Sequence, residues 1–293
     1  GAWFGTRMPR VRVSPLGPTA LVIEKLLRLF VIYHAIGDVE KMAQDCKKEF
    51  RKAVTIFLDI LGSQDRKDFS EWHKVMSIFS DTIAQEKQLD STHPHTIYKR
   101  EIHVFSDCAY IIYDYKPEIE ESRKDAYALM CIACYNTEKV IFEFLRNGFI
   151  ARGALTYGDI YYDNDKNVWF GPAMNRAYWL ESKKARYPRL IIDPEFATGL
   201  FEFNKKNYQQ NELQKQLNGE IIKKDNDGVF YLHYLNTYEL GIGIMLCSDF
   251  PAQVLDMCKT EIEKPRETPE LKRSIEEKYE WLQRYIQQSC YNN

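Results

Sequence analysis

The sequence predicts an α+β fold: a central antiparallel sheet with flanking helices, extended by helical additions at both ends. Three observations predict it. Strand-length apolar runs alternate with stretches whose apolar residues recur at helical spacing, in the order strand, helix, hairpin, helix, strand pair, helix, strand, hairpin. Two of the most apolar runs each contain one carboxylate, Asp59 within 54–62 and Asp107 within 102–113. A composition of 45% hydrophobic and 14% aromatic residues over 293 positions is enough for one large globular core and excludes a disordered chain.

Residues 1–18 mix Arg, Pro and Gly without period, with Met8 a candidate natural start behind a vector scar, and contribute nothing to the fold prediction. From 19 to about 51, Leu21, Ile23, Leu26, Leu27, Phe30, Val31 and Tyr33 recur at helical spacing, interrupted near Gly37. This predicts a helix that packs or dimerises. The run 54–62 is a core strand, and Gly62-Ser63-Gln64-Asp65-Arg66-Lys67 leads from it into a helix with Phe69, Trp72, Val75, Met76, Ile78, Phe79 and Ile83. A strand ending in an acid, a glycine turn and a helix start leave free backbone N–H groups, which favours an anion beside Asp59.

His93-Pro94-His95 reads as an exposed loop. The apolar runs on either side of 106–108 form a tight hairpin with Asp107 at or next to its turn. A long helix over 125–147 follows, ended by Gly148. Residues 149–162 are a strand pair or bulged strand whose glycines imply close backbone approach. Pro172 opens a helix carrying Asn175, Ala177, Trp179 and Leu180, and 189–194 is a short strand. After a helical turn and a polar Gln/Asn/Lys-rich stretch through Asn218, 220–224 and 229–235 make a hairpin around Asp225-Asn226-Asp227-Gly228. The chain closes on helices over about 250–262 and 270–288. The second is amphipathic through Ile275, Tyr279, Leu282 and Ile286, which predicts a surface element with a docking face.

A net charge of −2 argues against a protein that coats nucleic acid, since that affinity comes from many phosphate contacts. No apolar run is long enough for a membrane span and no secretory leader is seen, so a soluble, cytoplasmic protein is expected, without membrane insertion. Seven cysteines without framework spacing are expected to be reduced thiols. Cys131 and Cys134 form a C-x-x-C inside a helical pattern with no second pair, which does not make a zinc site.

A lone ionised Asp in an apolar strand costs several kcal/mol or loses its charge, so it calls for a partner, most simply a cation. Two strand-borne acids on adjacent strands would make a site for two divalent cations and a nucleoside triphosphate. Each acid taken separately is also explained as a strand-end residue capping a turn.

Four stretches in order resemble the successive motifs of class III nucleotidyl cyclases: 55–62, Phe105-Ser106-Asp107 in a hairpin, Arg152-Gly153-Ala154-Leu155-Thr156-Tyr157-Gly158, and Gly171-Pro172-Ala173-Met174-Asn175-Arg176-Ala177. Phe170-Gly171-Pro172 and Tyr187-Pro188-Arg189-Leu190-Ile191-Ile192-Asp193 look most like the Pycsar-type pyrimidine cyclases of bacterial antiphage defence. The resemblance implies a ferredoxin-like palm over 51–236, preceded by an N-terminal segment and helix over 1–50 and followed by a helical extension over 237–293. It implies a nucleoside triphosphate substrate, two Mn2+ or Mg2+ ions per site, a homodimer with composite active sites, and a product read by a separate effector.

Residue by residue, Asp59 and Asp107 match the metal-binding aspartates. The Ile60 carbonyl and the amides of Gly62, Ser63 and Gln64 match the metal and triphosphate cradle, and Asn175 matches the ribose-orienting asparagine. Where the family carries its transition-state arginine this chain has Trp179, leaving Arg152, Arg176 or Lys183 to supply that charge. At the base-reading positions stand His103 and, near the second, Val168 and Trp169, so neither purine code is present and UTP or CTP is expected. The rivals are a purine cyclase, an inactive cyclase-like binding module, and a palm-type polymerase. The last is disfavoured by the near-neutral charge and the lack of a Gly-Asp-Asp-like pair.

Overall fold

In a computed structural model, residues 49–63, 66–92, 95–164, 166–208, 220–239 and 249–291 are described. The expected N-terminal helix, Gln64, His93, Pro94 and the polar stretch over 209–219 lie outside them. From Phe50 onward the described residues belong to one compact unit.

An eight-stranded sheet runs in the order β2-β3-β1-β4-β6-β8-β7, with β5 paired to β4 off this path. The strands are β1 (Arg51–Ile60), β2 (Tyr98–Phe105), β3 (Cys108–Tyr115), β4 (Ala151–Asp163), β5 (Val168–Phe170), β6 (Leu190–Ile192), β7 (Ile222–Lys224) and β8 (Phe230–Leu232). Their pairings are antiparallel except β4 with β6, which are parallel and joined through β5 and a helix. The helices are α1 (Phe69–Thr92), α2 (Ala126–Arg146), α3 (Pro172–Lys184), α4 (Pro194–Tyr208), the short α5 (Asn236–Glu239), α6 (Phe250–Glu263) and α7 (Pro269–Tyr291).

β1 is apolar almost throughout because both of its faces are covered. Val54, Ile56, Leu58 and Ile60 enter the main core with Val75 and Phe79 of α1 and Leu129, Ala133, Ile141 and Phe144 of α2. The alternate residues face the other way: Ala53 packs with Met174, and Phe57 with Ala177, both on α3. With a side-chain period of two, Asp59 belongs to the α3 face. α2 starts where expected, with the Asp125 side chain accepting from the Ala128 amide at 2.9 Å, and ends at Gly148, whose φ is 79°.

Four expectations change. The stretch expected as a strand pair or bulged strand is one long strand, β4, paired to β1 from Arg51↔Ile160 to Ile60↔Ala151. Close backbone approach is real within it: at Gly153 a Cβ would lie 2.5 Å from the Phe57 carbonyl oxygen of β1. At Gly171 (φ 151°) a Cβ would lie 2.6 Å from the Asp159 carbonyl oxygen, so only glycine lets α3 begin this tightly against β4.

Asp107 lies in the two-residue Ser106–Asp107 turn between β2 and β3 and is not strand-borne. Helix α1 starts at Phe69, and Asp68 accepts from the Ser70 amide at 2.8 Å, so its N-terminus is capped locally instead of opening beside Asp59.

Finally, the apolar stripe of α7 is not a free docking face. Trp281, Leu282, Tyr285 and Ile286 are buried in the main core. Trp281 Nε1 donates to Asp225 at 2.6 Å, and the Tyr285 hydroxyl accepts from the Leu235 amide at 3.1 Å. Polar anchors at a few rings dock the helix where an apolar stripe alone would leave its partner open. Among the described residues no helix is long and apolar enough to cross a membrane.

Candidate active site

Asp59 and Asp107 meet at one end of the sheet. β1 pairs with β3 so that Asp59 lies opposite Cys108, the residue after Asp107. The Ile60 amide, just past Asp59, donates to the Asp107 carbonyl at 3.0 Å. The chain then turns through Gly62, at φ 75°, and the Ser63 hydroxyl donates to the Asp107 carboxylate. Thus Asp59, Ile60, Gly62, Ser63 and Asp107 form one cluster built from a strand end and two turns.

Sequence reasoning singled out Arg152 but missed two members of its surroundings, Glu181 and Lys278. Arg152 is the direct cross-strand neighbour of Asp59 on β4, with Nη2 3.7 Å from Oδ2. Its Nε also donates at 2.6 Å to Glu181, a carboxylate buried at the end of α3. The second is Lys278, carried in from α7. Burial first, then Glu181 and Asp107, push the Asp59 carboxyl up to about 7, against the opposing pull of Arg152 and Lys278. Both newcomers had a signal. Glu181 follows Ala177 by one helical turn on the buried stripe of α3, and Lys278 sits one turn before Leu282 on that of α7.

This is a carboxylate-rich site with too little positive charge, which is what a cation would relieve. The available donors are the carboxylates of Asp59 and Asp107, the Ile60 carbonyl and the Ser63 hydroxyl, a hard-oxygen set that fits Mg2+ or Mn2+. Cys108 does not compete as a ligand, because burial and then the neighbouring acids push its thiol up to about 12. Among the described residues no group of three or more His, Cys, Asp or Glu is placed to hold a metal. The remaining ligands would have to come from backbone, hydroxyl and substrate oxygens.

The other predicted residues gather elsewhere. His103 stacks on Trp169 with ring centroids 5.0 Å apart, and β5 places Trp169 against Tyr162. Beside them a pocket of about 390 Å3 is lined by Phe50, Tyr110, Trp169, Phe170, Met174 and Asn175, among others. Neither Asp59 nor Asp107 lines it. Asn175 is exposed in the first turn of α3. It precedes buried Glu181 by six residues, about 9 Å of rise and about a third of a turn around the helix. Within one chain, the acids and Asn175 are therefore not brought together.

Arg176 is committed to structure: its Nε and Nη2 donate at 2.8 and 2.7 Å to Asp193, which also accepts from Thr156 at 2.7 Å. Its guanidinium lies 5.2 Å from the ring centre of Trp179. Lys183 is exposed on the last turn of α3.

Solved structures similar to this chain include nucleotide cyclases. One is the dimeric guanylyl cyclase domain of the RhoGC fusion protein from the aquatic fungus Blastocladiella emersonii, at 14% identity, 64% of this chain, 98% of that one and a TM-score of 0.39. The guanylate cyclase domain of RhGC from Catenaria anguillulae, in complex with GTP, gives the same four values. A bacterial light-regulated adenylyl cyclase follows at 15% identity, 64% of this chain, 58% of that one and 0.32. No protein-family profile matches, and no curated protein matches in sequence. Likeness at this level carries no chemistry, which stands on the residues themselves.

Proposed function

We propose that this chain is a nucleotidyl cyclase that converts a pyrimidine nucleoside triphosphate, UTP or CTP, into its 3′,5′-cyclic monophosphate and pyrophosphate, as a homodimer in bacterial antiphage defence. The observation that supports it best is the meeting of Asp59 and Asp107 beside the Gly62–Ser63 turn, with a raised Asp59 carboxyl and an all-oxygen donor set. Two divalent cations bound there would supply Lewis acidity, lowering the pKa of the ribose 3′-hydroxyl and offsetting phosphate charge.

The chain's own residues hold and align. Asp59 and Asp107 bind the cations, with the Ile60 carbonyl as a further ligand. The Ser63 hydroxyl holds the Asp107 carboxylate, and Arg152 is the guanidinium beside the reacting phosphates. The turn amides of Gly62 and Ser63 receive triphosphate oxygens. His103 and Trp169, stacked on one another, stand at the base-reading positions, where their bulk would disfavour a purine and favour a pyrimidine.

Asn175 orients the ribose from the second subunit. Its exposure, apart from the acids of its own chain, fits a site shared across a two-fold axis. Phe105, Phe170, Tyr178 and Trp179, each 43–56% exposed, provide apolar surface for that contact.

One observation favours a nucleotide-binding module without turnover: Trp179 stands at the arginine position and Arg176 is tied to Asp193. Purified protein incubated with each of the four nucleoside triphosphates and Mn2+ separates the two. Cyclic UMP or CMP with equimolar pyrophosphate is the expected product by mass; faster turnover of ATP or GTP overturns the pyrimidine assignment, and no product from any of the four overturns the cyclase.

A further inference from the structure

Arg152 stands between two carboxylates and is bonded to only one of them. Across the β1–β4 pair its Nη2 is 3.7 Å from Asp59, too far for a hydrogen bond. From α3, Glu181 Oε1 accepts from Nε at 2.6 Å and also from Nη2. The turn of α3 that carries Glu181 is fixed to the sheet on both sides, by Ala177 against Phe57 and Cys108 and by Leu180 against Ala154 and Ile191. The second carboxylate oxygen of Glu181 accepts from the Ser182 hydroxyl at 3.0 Å. Opposite charges directly across a strand pair attract, so a guanidinium held by nothing else would close onto Asp59. Glu181 prevails because its side chain is 4% exposed against 25% for Asp59, and its attraction is the less screened. Among the described residues Nη1 makes no hydrogen bond, which leaves one corner of the guanidinium for an incoming anion.

The geometry points to Glu181 as a positioning residue: it holds the Arg152 guanidinium back from Asp59, so that Asp59 is free for a divalent cation and the Nη1 corner of Arg152 is free for phosphate. The proposal deepens the cyclase reading and rests on it for the identity of the anion. Glu181 touches neither cation nor substrate and acts through Arg152 alone. Without it, Arg152 closes onto Asp59 as an ordinary cross-strand ion pair that a cation has to displace, and the guanidinium is spent on the acid instead of the phosphate.

The test is the Mn2+ affinity of the full chain without nucleotide, read from the electron paramagnetic resonance of free Mn2+. Glu181→Gln, which cannot hold a guanidinium by charge, is expected to weaken Mn2+ by about tenfold, and Arg152→Met added to it to restore the affinity to within about twofold of wild type. Glu181→Asp keeps the charge but is one methylene shorter, and is expected to weaken Mn2+ by about threefold. If Glu181→Gln does not fold, as judged by circular dichroism, Glu181→Asp carries the test, with Arg152→Met again as the reversal. A merely structural glutamate gives losses that Arg152→Met does not reverse, and a glutamate acting by its charge alone leaves Glu181→Asp at wild-type affinity. Either result overturns the proposal, as does unchanged affinity in Glu181→Gln. A wild type that binds no Mn2+ overturns it together with the two-metal reading. If the affinities follow the expected pattern while no nucleoside triphosphate is cyclised, Glu181 stands as the residue that positions Arg152 and the cyclase reading fails. If the wild type cyclises and the affinities do not change, the reverse holds.

Discussion

A carboxylate at the end of an apolar strand is tolerated when something compensates its charge, and at Asp59 the compensation is incomplete. Arg152 stands at 3.7 Å but is shared with Glu181, and the carboxyl remains raised to about 7. Asp59→Asn and Asp107→Asn are therefore expected to lose cyclic product by at least ~1000-fold while melting no lower than wild type without metal. Mn2+ plus tripolyphosphate should raise the wild-type melting temperature and leave Asp59→Asn unmoved, read by scanning fluorimetry. Near wild-type turnover in either variant would sink the two-metal reading.

Arg176 gives the opposite pattern. Asp193 is almost completely buried; burial works against its charge, yet Arg176 and Thr156 hold its carboxyl below the usual range. Arg176→Ala leaves that charge poorly paired and should cost roughly 2–4 kcal/mol of unfolding free energy, discounted for the exposed guanidinium. Urea denaturation measures it, and an unchanged midpoint would show that the ion pair contributes nothing.

Among the elements, α7 is held by aromatic rings with polar tips. Trp281 is buried, donates to Asp225 and stacks on Tyr285 at 5.1 Å. Trp281→Ala is expected to cost about 3–5 kcal/mol, measured by the urea midpoint, and to free the helix that carries Lys278.

Next to it, fully buried His233 contacts the Tyr285 hydroxyl at 2.8 Å and Glu239 at 2.9 Å. Burial pushes the His233 imidazole down to about 4. Glu239 falls to about 2 despite burial, through its bond to His233 and the charges of His233 and Lys223. A histidine lowered on folding leaves the unfolded chain the better proton acceptor, so stability is lost as pH falls from about 6.5 to 4. The Glu239 contribution is present above about 4.5 and lost as pH falls from there toward 2. His233→Gln should lower the melting temperature at pH 7.5 yet flatten its decline between pH 6.5 and 4.5. An equally steep decline in the variant would assign the loss to other groups.

For the whole molecule the question is how the acids and Asn175 come to act on one substrate. If each site takes Asp59 and Asp107 from one chain and Asn175 from its partner, Asp59→Ala and Asn175→Ala proteins are each inactive alone. Refolded together, half of randomly mixed dimers are mixed and each of those has one intact site, so about one quarter of wild-type activity should return. Co-purification of differently tagged chains without activity would place the whole site in one chain. A charge within the exposed aromatic surface, as in Trp179→Asp, should shift the protein toward monomer in sedimentation, with activity falling at the same concentrations.

Local chemistry made much of this legible without coordinates. Apolar runs of strand length, the Asp125 cap, Gly148 and the Asp225–Gly228 turn report structure through interactions only a few residues long, so sequence alone placed most elements and singled out Asp59 and Asp107. It did not find Glu181 bonded to Arg152 next to Asp59, or the commitment of Arg176 to Asp193. Those depend on strand order and helix docking between distant segments, which no local period encodes. The amphipathic stripe of α7 illustrates the division: its existence follows from the spacing of Ile275, Tyr279, Leu282 and Ile286, but what it covers was settled only by the buried contacts of Trp281 and Tyr285. Periodicity determines which face of an element is apolar, and only tertiary packing determines the surface that face buries.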